Sequence, residues 1–502
     1  MQMRLITDYL NNSAEKYPNK LAFIDSARSL TFSELRNESF CVAQEIINLN
    51  LFKVPVAIYL KKSVECISSF MGVAYSGNFY TPIDVDMPSD RIEKILDSLK
   101  PRLIITDSKH KQAIDSMVSG IPIIVLDKIK NNVFDEASVI KVSSKIIDTD
   151  LLYVLFTSGS TGIPKGVVVS HKSVVAYSEW FSTAFNITKD DIFGNQTPFY
   201  FSMSVTDIFQ TLKNSCTLYI IPKLLFSFPI KLLNFLNEKK ITTIYWVPSV
   251  LILIVNLKAL GKIDISCLKK ILFAGEVMPT RYYNIWKKNV STAMFANLFG
   301  PTEVTDICSY YLINRDLNDD EAIPIGVPCN NCDCLVLNEQ NKQVVNETGE
   351  LYVRGSFLAY GYYNNFEKTN SVFMQNPLNA NYPELVYKTG DLIRYNEFGE
   401  MVYVGRKDSQ IKHMGHRIEL GEIETAISSI SGVDENCCLY NSELQKIYIF
   451  YSGRTTIMNL LKEVKNLLPT YMVPEKIVQL DCLPHNLNGK IDRVELKKTM
   501  EE

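Results

Sequence analysis

The chain has 502 residues, too many for one hydrophobic core at about 150 residues per folding unit, so it must subdivide into about three. Apolar residues make up 46% and aromatics 11%, which excludes a disordered or collagen-like polymer. With 52 basic and 55 acidic side chains the net charge is -3, a balance that gives no field to draw the chain to nucleic acid or anionic lipid.

Residues 1–20 lack the uninterrupted apolar core of a secretion signal, and the greasiest run, 247–257, is too short to span a bilayer. A cytoplasmic protein with no membrane insertion is expected. The 11 cysteines, an odd count scattered from Cys41 to Cys482, fit buried reduced thiols better than a disulfide framework. Cys329, Cys332 and Cys334 have a CxxCxC spacing that can clasp a metal. No fourth nearby Cys or His completes the set, so they are expected as strand and loop thiols.

In chain order, the short apolar runs at 54–60, 102–107, 121–127 and 151–157, each bounded by turn or charge signals, read as buried parallel strands. Between them, 64–76 and 89–99 return apolar residues every three or four positions and read as helices. Strand and helix alternate, which predicts α/β architecture with wound sheets in the first half. From Gly349 onward, short β segments with glycine turns (GELYVRG, YKTGDLIRY) predict a small β-barrel or curled sheet. An amphipathic stretch at 418–430 then opens a compact α+β region. A boundary near 406–409 is expected to separate a large region at 1–405 from a compact α+β lid at 409–502.

The strongest motif follows the run at 151–157 directly: Thr157, Ser158, Gly159, Ser160, Thr161, Gly162, Ile163, Pro164, Lys165, Gly166. Small residues let backbone N–H groups turn toward an anion, hydroxyls add donors, and a lysine supplies a point charge, which describes a phosphate cradle. The glycine spacing before Lys165 excludes a Walker loop.

Six further motifs follow this cradle in order: Asn297-Leu298-Phe299-Gly300-Pro301-Thr302-Glu303, Gly349-Glu350-Leu351-Tyr352, Tyr387-Lys388-Thr389-Gly390-Asp391-Leu392, Gly405-Arg406-Lys407-Asp408, Gly415-His416-Arg417-Ile418-Glu419-Leu420-Gly421-Glu422-Ile423-Glu424, and Asn488-Gly489-Lys490-Ile491-Asp492-Arg493. Together they resemble the adenylate-forming enzymes: acyl-CoA synthetases, luciferases and the adenylation domains of nonribosomal peptide synthesis. The resemblance covers nearly the whole chain. RIELGEIE, LPTYMVP and NGKIDR are similar to the amino-acid branch, and the segment 273–279, with Gly275 and Glu276, is similar to that of the D-alanyl carrier protein ligases.

The resemblance implies ATP and Mg²⁺ as cofactors and a first step that joins a carboxylate to the α-phosphate with loss of pyrophosphate. Lys490 matches the lysine that bridges carboxylate and α-phosphate, and the cradle with Lys165 would hold the β- and γ-phosphates. Thr302 and Glu303 are implied at the α-phosphate and the metal, where a carboxylate suits a hard cation. Phe299, at a position usually Tyr, would stack on adenine. Gly275, Glu276, Asn297, Leu298, Gly300, Pro301 and Tyr403 are implied around the nucleotide. Asp391 matches the acid that accepts both ribose hydroxyls, with Arg406 adding a donor. In the second step, thioester formation, the lid would turn at Asp408, and Gly415 would let a pantetheine arm pass. No carrier domain follows Arg493, so a stand-alone carrier protein bearing phosphopantetheine is the expected partner.

One position departs from the pattern. Where amino-acid-activating relatives have an Asp that binds the substrate's α-ammonium, this chain has Ser202, after Phe201. A buried ammonium there would lose its counter-charge, which is costly. Asp306, implied at the side-chain end of the pocket, is a candidate to receive an amino or hydroxyl group displaced along the substrate. Asp207 is a second candidate, although alternation in its segment points it away. Met203, Thr206, Tyr245, Leu272, Ala274, Leu298 and Ile307 match other pocket positions, and Tyr245 with Leu298 suggests a small acid. The expected function is ATP-dependent adenylation of a small carboxylic acid, a short amino or hydroxy acid, and its transfer to a carrier protein. The alternatives are an acyl-CoA ligase using free CoA, or an inactive nucleotide-binding homologue.

Overall fold

The computed structural model describes residues 3–129, 132–159, 162–408, 410–485 and 491–500. Its contacts divide the chain into two units, Met1–Val85 with Leu99–Leu155 and Gly166–Lys407, and Asp86–Ser98 with Phe156–Lys165 and Asp408–Glu502.

Two wound sheets carry the first unit. The six-stranded sheet has the order Ile123–Val125, Leu103–Thr106, Pro55–Tyr59, Phe79–Ile83, Leu151–Thr157, Lys165–Ser170. Pro55–Tyr59 and Leu103–Thr106 are buried along their whole length, which is why they read as continuous apolar runs without alternation.

The nine-stranded sheet runs Val327–Pro328, Ser309–Leu312, Met294–Phe299, Lys270–Ala274, Thr243–Trp246, Ile192–Asn195, Thr217–Ile220, Leu21–Ile24, Ser29–Thr31. The six strands from Met294–Phe299 to Leu21–Ile24 are parallel. The outer pairings are antiparallel. Ile192–Asn195 has its successor Thr217–Ile220 on one side and Thr243–Trp246 on the other, so the winding reverses there. The carboxyl ends of parallel strands beside such a reversal form the crevice in which wound sheets bind ligands. The segments after Asn195, Ala274 and Phe299 leave from that edge, and they carry Ser202, Thr206, Glu276, Thr302, Glu303 and Asp306 among the sequence-predicted site residues.

The β segments after residue 330 make a five-stranded half-barrel sheet of Cys332–Leu337, Gly349–Gly355, Leu385–Tyr395 and Phe373–Gln375, with Met401–Arg406 also paired to Leu385–Tyr395. Its register sets Asp391 opposite Arg406.

The second unit is α+β. Gln410–His413 and His416–Glu419 form a hairpin whose two turn residues, Met414 (φ 49°) and Gly415 (φ 77°), are both left-handed, as the twist of a two-residue hairpin demands. The predicted amphipathic stretch splits into that strand and the helix Leu420–Ser428. The helix and Ile457–Leu467 pack on the sheet Val433–Asn441, Lys446–Gly453, Lys476–Gln479 through Ile423, Ile427, Cys438, Ile449 and Leu460.

Among the described residues no helix is long and apolar enough to cross a membrane. All 11 cysteines are free and eight are buried. The fold does bring a fourth thiol near the CxxCxC run: Cys334 Sγ lies 3.8 Å from the Cys308 carbonyl oxygen, and Cys329 Sγ 3.8 Å from that of Ile307. Sequence separation hid this neighbour. Among the described residues, however, no three His, Cys, Asp or Glu side chains are arranged to hold a metal.

Within the second unit, Arg91 Nη1 meets Glu422 Oε1 at 2.6 Å with both side chains under one-tenth exposed. Removing one partner of a buried pair strands the other charge. Glu422→Ala should cost about 3 kcal/mol in urea unfolding of the whole chain, and an unchanged midpoint would show that the pair is not stabilising.

Candidate active site

Residues 199–207 suggested alternation, but Met203–Asn214 is an α-helix. Five or six mixed polar and apolar positions do not settle a period by themselves, and packing beneath the sheet decides it. The helical period changes which residues share a face. Ser202 and Thr206, four apart, come together, and Asp207 turns about 100° aside.

Asp306 Oδ2 accepts from Thr206 Oγ1 at 2.8 Å, from Tyr177 Oη at 3.0 Å and from Tyr245 Oη at 3.1 Å, while Tyr177 Oη and Thr206 Oγ1 lie 2.6 Å apart. Tyr245 comes from the strand Thr243–Trp246 and Tyr177 from the helix His171–Ala184. Ser202 also hydrogen-bonds Asp306. Burial pushes the Asp306 carboxyl up to about 6, with the four hydroxyls holding it below where burial alone would leave it. Burial likewise raises Tyr177 and Tyr245 well above the usual phenol range, so both remain donors.

A tight turn aims Asp306. Asp306 N donates to the Val304 carbonyl at 2.8 Å across Thr305, whose φ of 72° and ψ of -57° make a γ-turn. This is a strained conformation for a β-branched residue. Thr305 Oγ1 donates to the Phe357 carbonyl at 2.7 Å and helps hold it. Gly300 is required for the same approach: a Cβ there would sit 2.4 Å from the Asp306 carbonyl oxygen and 2.5 Å from Ile307 Cα.

Asp207 is placed differently. Its Oδ2 accepts from Asn195 Nδ2 at 2.7 Å, and Lys62, which donates to the Gln196 carbonyl at 3.0 Å, is a nearby positive charge. Burial pushes Asp207 up to about 8 and pulls Lys62 down to about 7. Lys62 was not singled out from the sequence.

The remaining predicted residues of the first unit lie on the strands Thr243–Trp246, Lys270–Ala274 and Met294–Phe299, on the segments that follow the strand ends, and on the half-barrel strands Leu385–Tyr395 and Met401–Arg406. Thr302 Oγ1 donates to Ser202 Oγ at 3.4 Å, linking the Thr302–Glu303 pair to the Asp306 cluster. Glu303 is fully buried, and Tyr362 Oη donates to its Oε1 at 2.6 Å. Asp391 Oδ1 accepts from Arg406 Nη1 at 2.8 Å, and Arg406 Nη2 donates to the Thr389 carbonyl at 3.1 Å, so the two predicted ribose residues form a buried pair. Phe299 and Tyr403 have ring centroids 5.8 Å apart. Asn297 Nδ2 donates to the Pro324 carbonyl, and Glu276, after Gly275 (φ 91°), accepts from Ser249 N. Met203, Leu272, Ala274, Leu298 and Ile307 are buried, Phe201 half-buried, and Pro301 precedes the turn Thr302–Val304. Tyr177 and Tyr362, which set the geometry of the two buried acids, carry no local sequence signal.

In the second unit, Thr157 and Ser158 are buried, and Ser158 Oγ donates to the Arg417 carbonyl. Lys165 Nζ lies 3.6 Å from Glu419. A Cβ on Gly159 would strike the Ile163 carbonyl oxygen at 2.0 Å, and Gly162 takes a left-handed φ of 75°. These glycines fold the loop back tightly. Asp408 begins the C-terminal segment of this unit, and its Oδ1 accepts from Gln410 N at 3.3 Å. Ser160, Thr161 and Lys490 lie outside the described residues.

The model of the AMP-binding enzyme family matches residues 10–363. The chain belongs to this family. It is 29% identical to the L-proline--[L-prolyl-carrier protein] ligase of Pseudomonas fluorescens over 99% of this chain and 100% of that one. To gramicidin S synthase 1 of Brevibacillus brevis it is 32% identical over 98% of its own length, but it spans only 44% of that protein. Among solved structures, the Vibrio cholerae adenylation domain AlmE, in complex with glycyl-adenosine-5'-phosphate, superimposes with a TM-score of 0.85 at 21% identity, covering 100% of this chain and 98% of that one. The AMP-binding family fold therefore extends through both units.

Gly300→Ala tests the close approach. It should destabilise the protein by about 3 kcal/mol, read as a lowered urea midpoint, because backbone rather than a flexible side chain must yield. A neutral effect would mean that the strand end has slack.

Proposed function

We propose that this protein is an ATP-dependent ligase that adenylates a small carboxylic acid, a short amino or hydroxy acid, and transfers it to the phosphopantetheine thiol of a separate carrier protein. The observation that carries the reading is a set of buried groups: Glu303 beside Thr302 and a deep acid at Asp306 after the carboxyl end of the strand Met294–Phe299, with the Asp391–Arg406 pair on the half-barrel sheet. The match with the prolyl-carrier protein ligase over the full length of both chains supports the acceptor.

In the first step a carboxylate oxygen attacks the α-phosphorus, the bond between α-phosphorus and bridging oxygen breaks, and pyrophosphate leaves. The difficulty is mutual repulsion of anions, so the work lies in alignment and charge compensation. Thr302 offers a hydroxyl to the α-phosphate, the loop 157–165 with Lys165 receives the β- and γ-phosphates, and Lys490 bridges the carboxylate and α-phosphate. Asp391, oriented by Arg406, accepts the ribose hydroxyls, and Phe299 packs on the adenine. Glu303 and Thr302 are oxygen donors that suit Mg²⁺, an ion that typically keeps waters and takes its other ligands from phosphates. When bound, that ion neutralises phosphate charge. In the second step the carrier's thiol sulfur attacks the acyl carbon, AMP leaves, and the thiol proton is released. The C-terminal lid turns at Asp408, and Gly415 admits the pantetheine.

Purified protein should catalyse acid-dependent exchange of pyrophosphate into ATP and should load a phosphopantetheinylated carrier in preference to free CoA. Equal transfer to CoA would replace the carrier assignment. Lys490→Ala should abolish exchange while largely sparing thioester formation from preformed acyl adenylate, and equal loss of both halves would overturn its role. Ser202→Asp should improve the use of α-amino acids, and no gain with any of them would remove Ser202 as the reason for their exclusion.

A further inference from the structure

The two buried acids near the pocket differ in what answers their charge. Asp207 has Asn195 at 2.7 Å and Lys62 as a nearby cation. Asp306 meets neutral hydroxyls: Tyr177, Thr206, Tyr245 and Ser202.

Counting protons sharpens the contrast. Four close contacts join Asp306 Oδ2, Tyr177 Oη, Thr206 Oγ1 and Tyr245 Oη, and each needs one hydrogen. The three hydroxyls supply three. A protonated Asp306 supplies the fourth, whereas an ionised Asp306 leaves the cluster one donor short and one charge uncompensated. An ammonium group brings a positive charge together with N–H donors of its own, and so compensates the charge that neutral hydroxyls leave unanswered. A substrate hydroxyl brings a donor but no charge, and an alkyl group brings neither.

Position fixes where on the substrate that ammonium lies. With the α-phosphate at Thr302 and the reacting carboxylate beside it, the first group inward is Ser202 Oγ, 3.4 Å from Thr302 Oγ1. Thr206 follows Ser202 by one helical turn and donates to Asp306 Oδ2 at 2.8 Å, so the acid lies beyond the serine. A group on the α-carbon faces the serine, and only a group further along the chain reaches the acid. Resting on the adenylation reading, we propose that Asp306 is the counter-charge for an ammonium carried beyond the α-carbon, so that the substrate class is a short β- or γ-amino acid. Tyr177, Thr206 and Tyr245 position the carboxylate and close the pocket around the amine.

Other titratable groups bear on Asp306: Tyr177, Tyr245 and Tyr153, Asp207, and Cys329. Burial raises the three phenols and the thiol well above their usual ranges, and Asp207 is pushed to about 8. Asp306, at about 6, is the group of this set that changes charge just below neutrality. An Asp306 that must be ionised to hold an ammonium loses that ability as pH falls through its own ionisation.

The test is pyrophosphate exchange by the full chain with β-alanine, 3-aminobutyrate, 4-aminobutyrate, glycine, both alanines, 3-hydroxybutyrate and butyrate. A β- or γ-amino acid should exceed the others in kcat/KM by roughly 10-fold or more. Asp306→Asn should lose on the order of 100-fold with that amino acid and little with butyrate. For the wild type, kcat/KM with the amino acid should fall below about pH 6, while that with butyrate should not. This profile needs no variant and holds even where the substitution impairs folding. A preference for an α-amino, hydroxy or plain acid, an unaffected Asp306→Asn variant, or a profile shared by amine and butyrate overturns the assignment of Asp306 and leaves adenylation standing. Exchange with none of the acids overturns the adenylation reading itself.

Discussion

Negative charge held out of water is the constraint around which the first unit is organised. Asp306 and Glu303, which follow the strand Met294–Phe299, and Asp391, on the half-barrel sheet, are nearly or fully buried. An ionised carboxylate in such surroundings is tolerated only with hydrogen bonds or an opposite charge. Each acid has a different answer. Asp391 has a guanidinium, Glu303 has the Tyr362 phenol, and Asp306 has a shell of hydroxyls. Those answers track the proposed roles. The proposed ribose acceptor is fixed in place by an internal cation, whereas Asp306, proposed to receive a substrate's cation, is held by neutral hydroxyls.

The strands of the wound sheets were legible because burial on both faces removes alternation and leaves plain apolar runs. The groups proposed to meet the nucleotide stand out in the sequence because glycines, hydroxyls and a carboxylate recur in fixed order around Phe299 and Asp391. Ser202 was legible as a departure from that order. The supporting shell was not. Tyr177 lies 129 residues from Asp306, and Tyr362 lies 59 residues from Glu303. Only sheet topology brings them together. The left-handed Thr305 could not be read either, since local propensity argues against a β-branched residue there and the surrounding packing overrides it.

Asp207 illustrates how a wrong period misplaces chemistry. Alternation turned it from the pocket for one reason, and the helix Met203–Asn214 turns it for another, by setting Thr206 rather than Asp207 on the face shared with Ser202. The acid then finds Asn195 at the very strand end where the winding of the sheet reverses. One helix thus presents a neutral face to Asp306 and an acidic one to Lys62, which keeps the two buried carboxylates from competing for a single cation.

The depth of Asp306 bears on the chemistry proposed at the other end of the pocket. The attacking carboxylate must keep a lone pair free for the phosphorus, which is already surrounded by negative oxygens. An ammonium on the adjacent carbon draws electron density from that carboxylate and competes with Lys490 and Thr302 for its oxygens. Holding the amine beyond the serine separates the two tasks, with affinity coming from the Asp306 end and reactivity from the Thr302 end. Binding energy gained far from the reacting atoms can then serve to align them, the use of remote contacts that raises turnover rather than merely tightening the ground state.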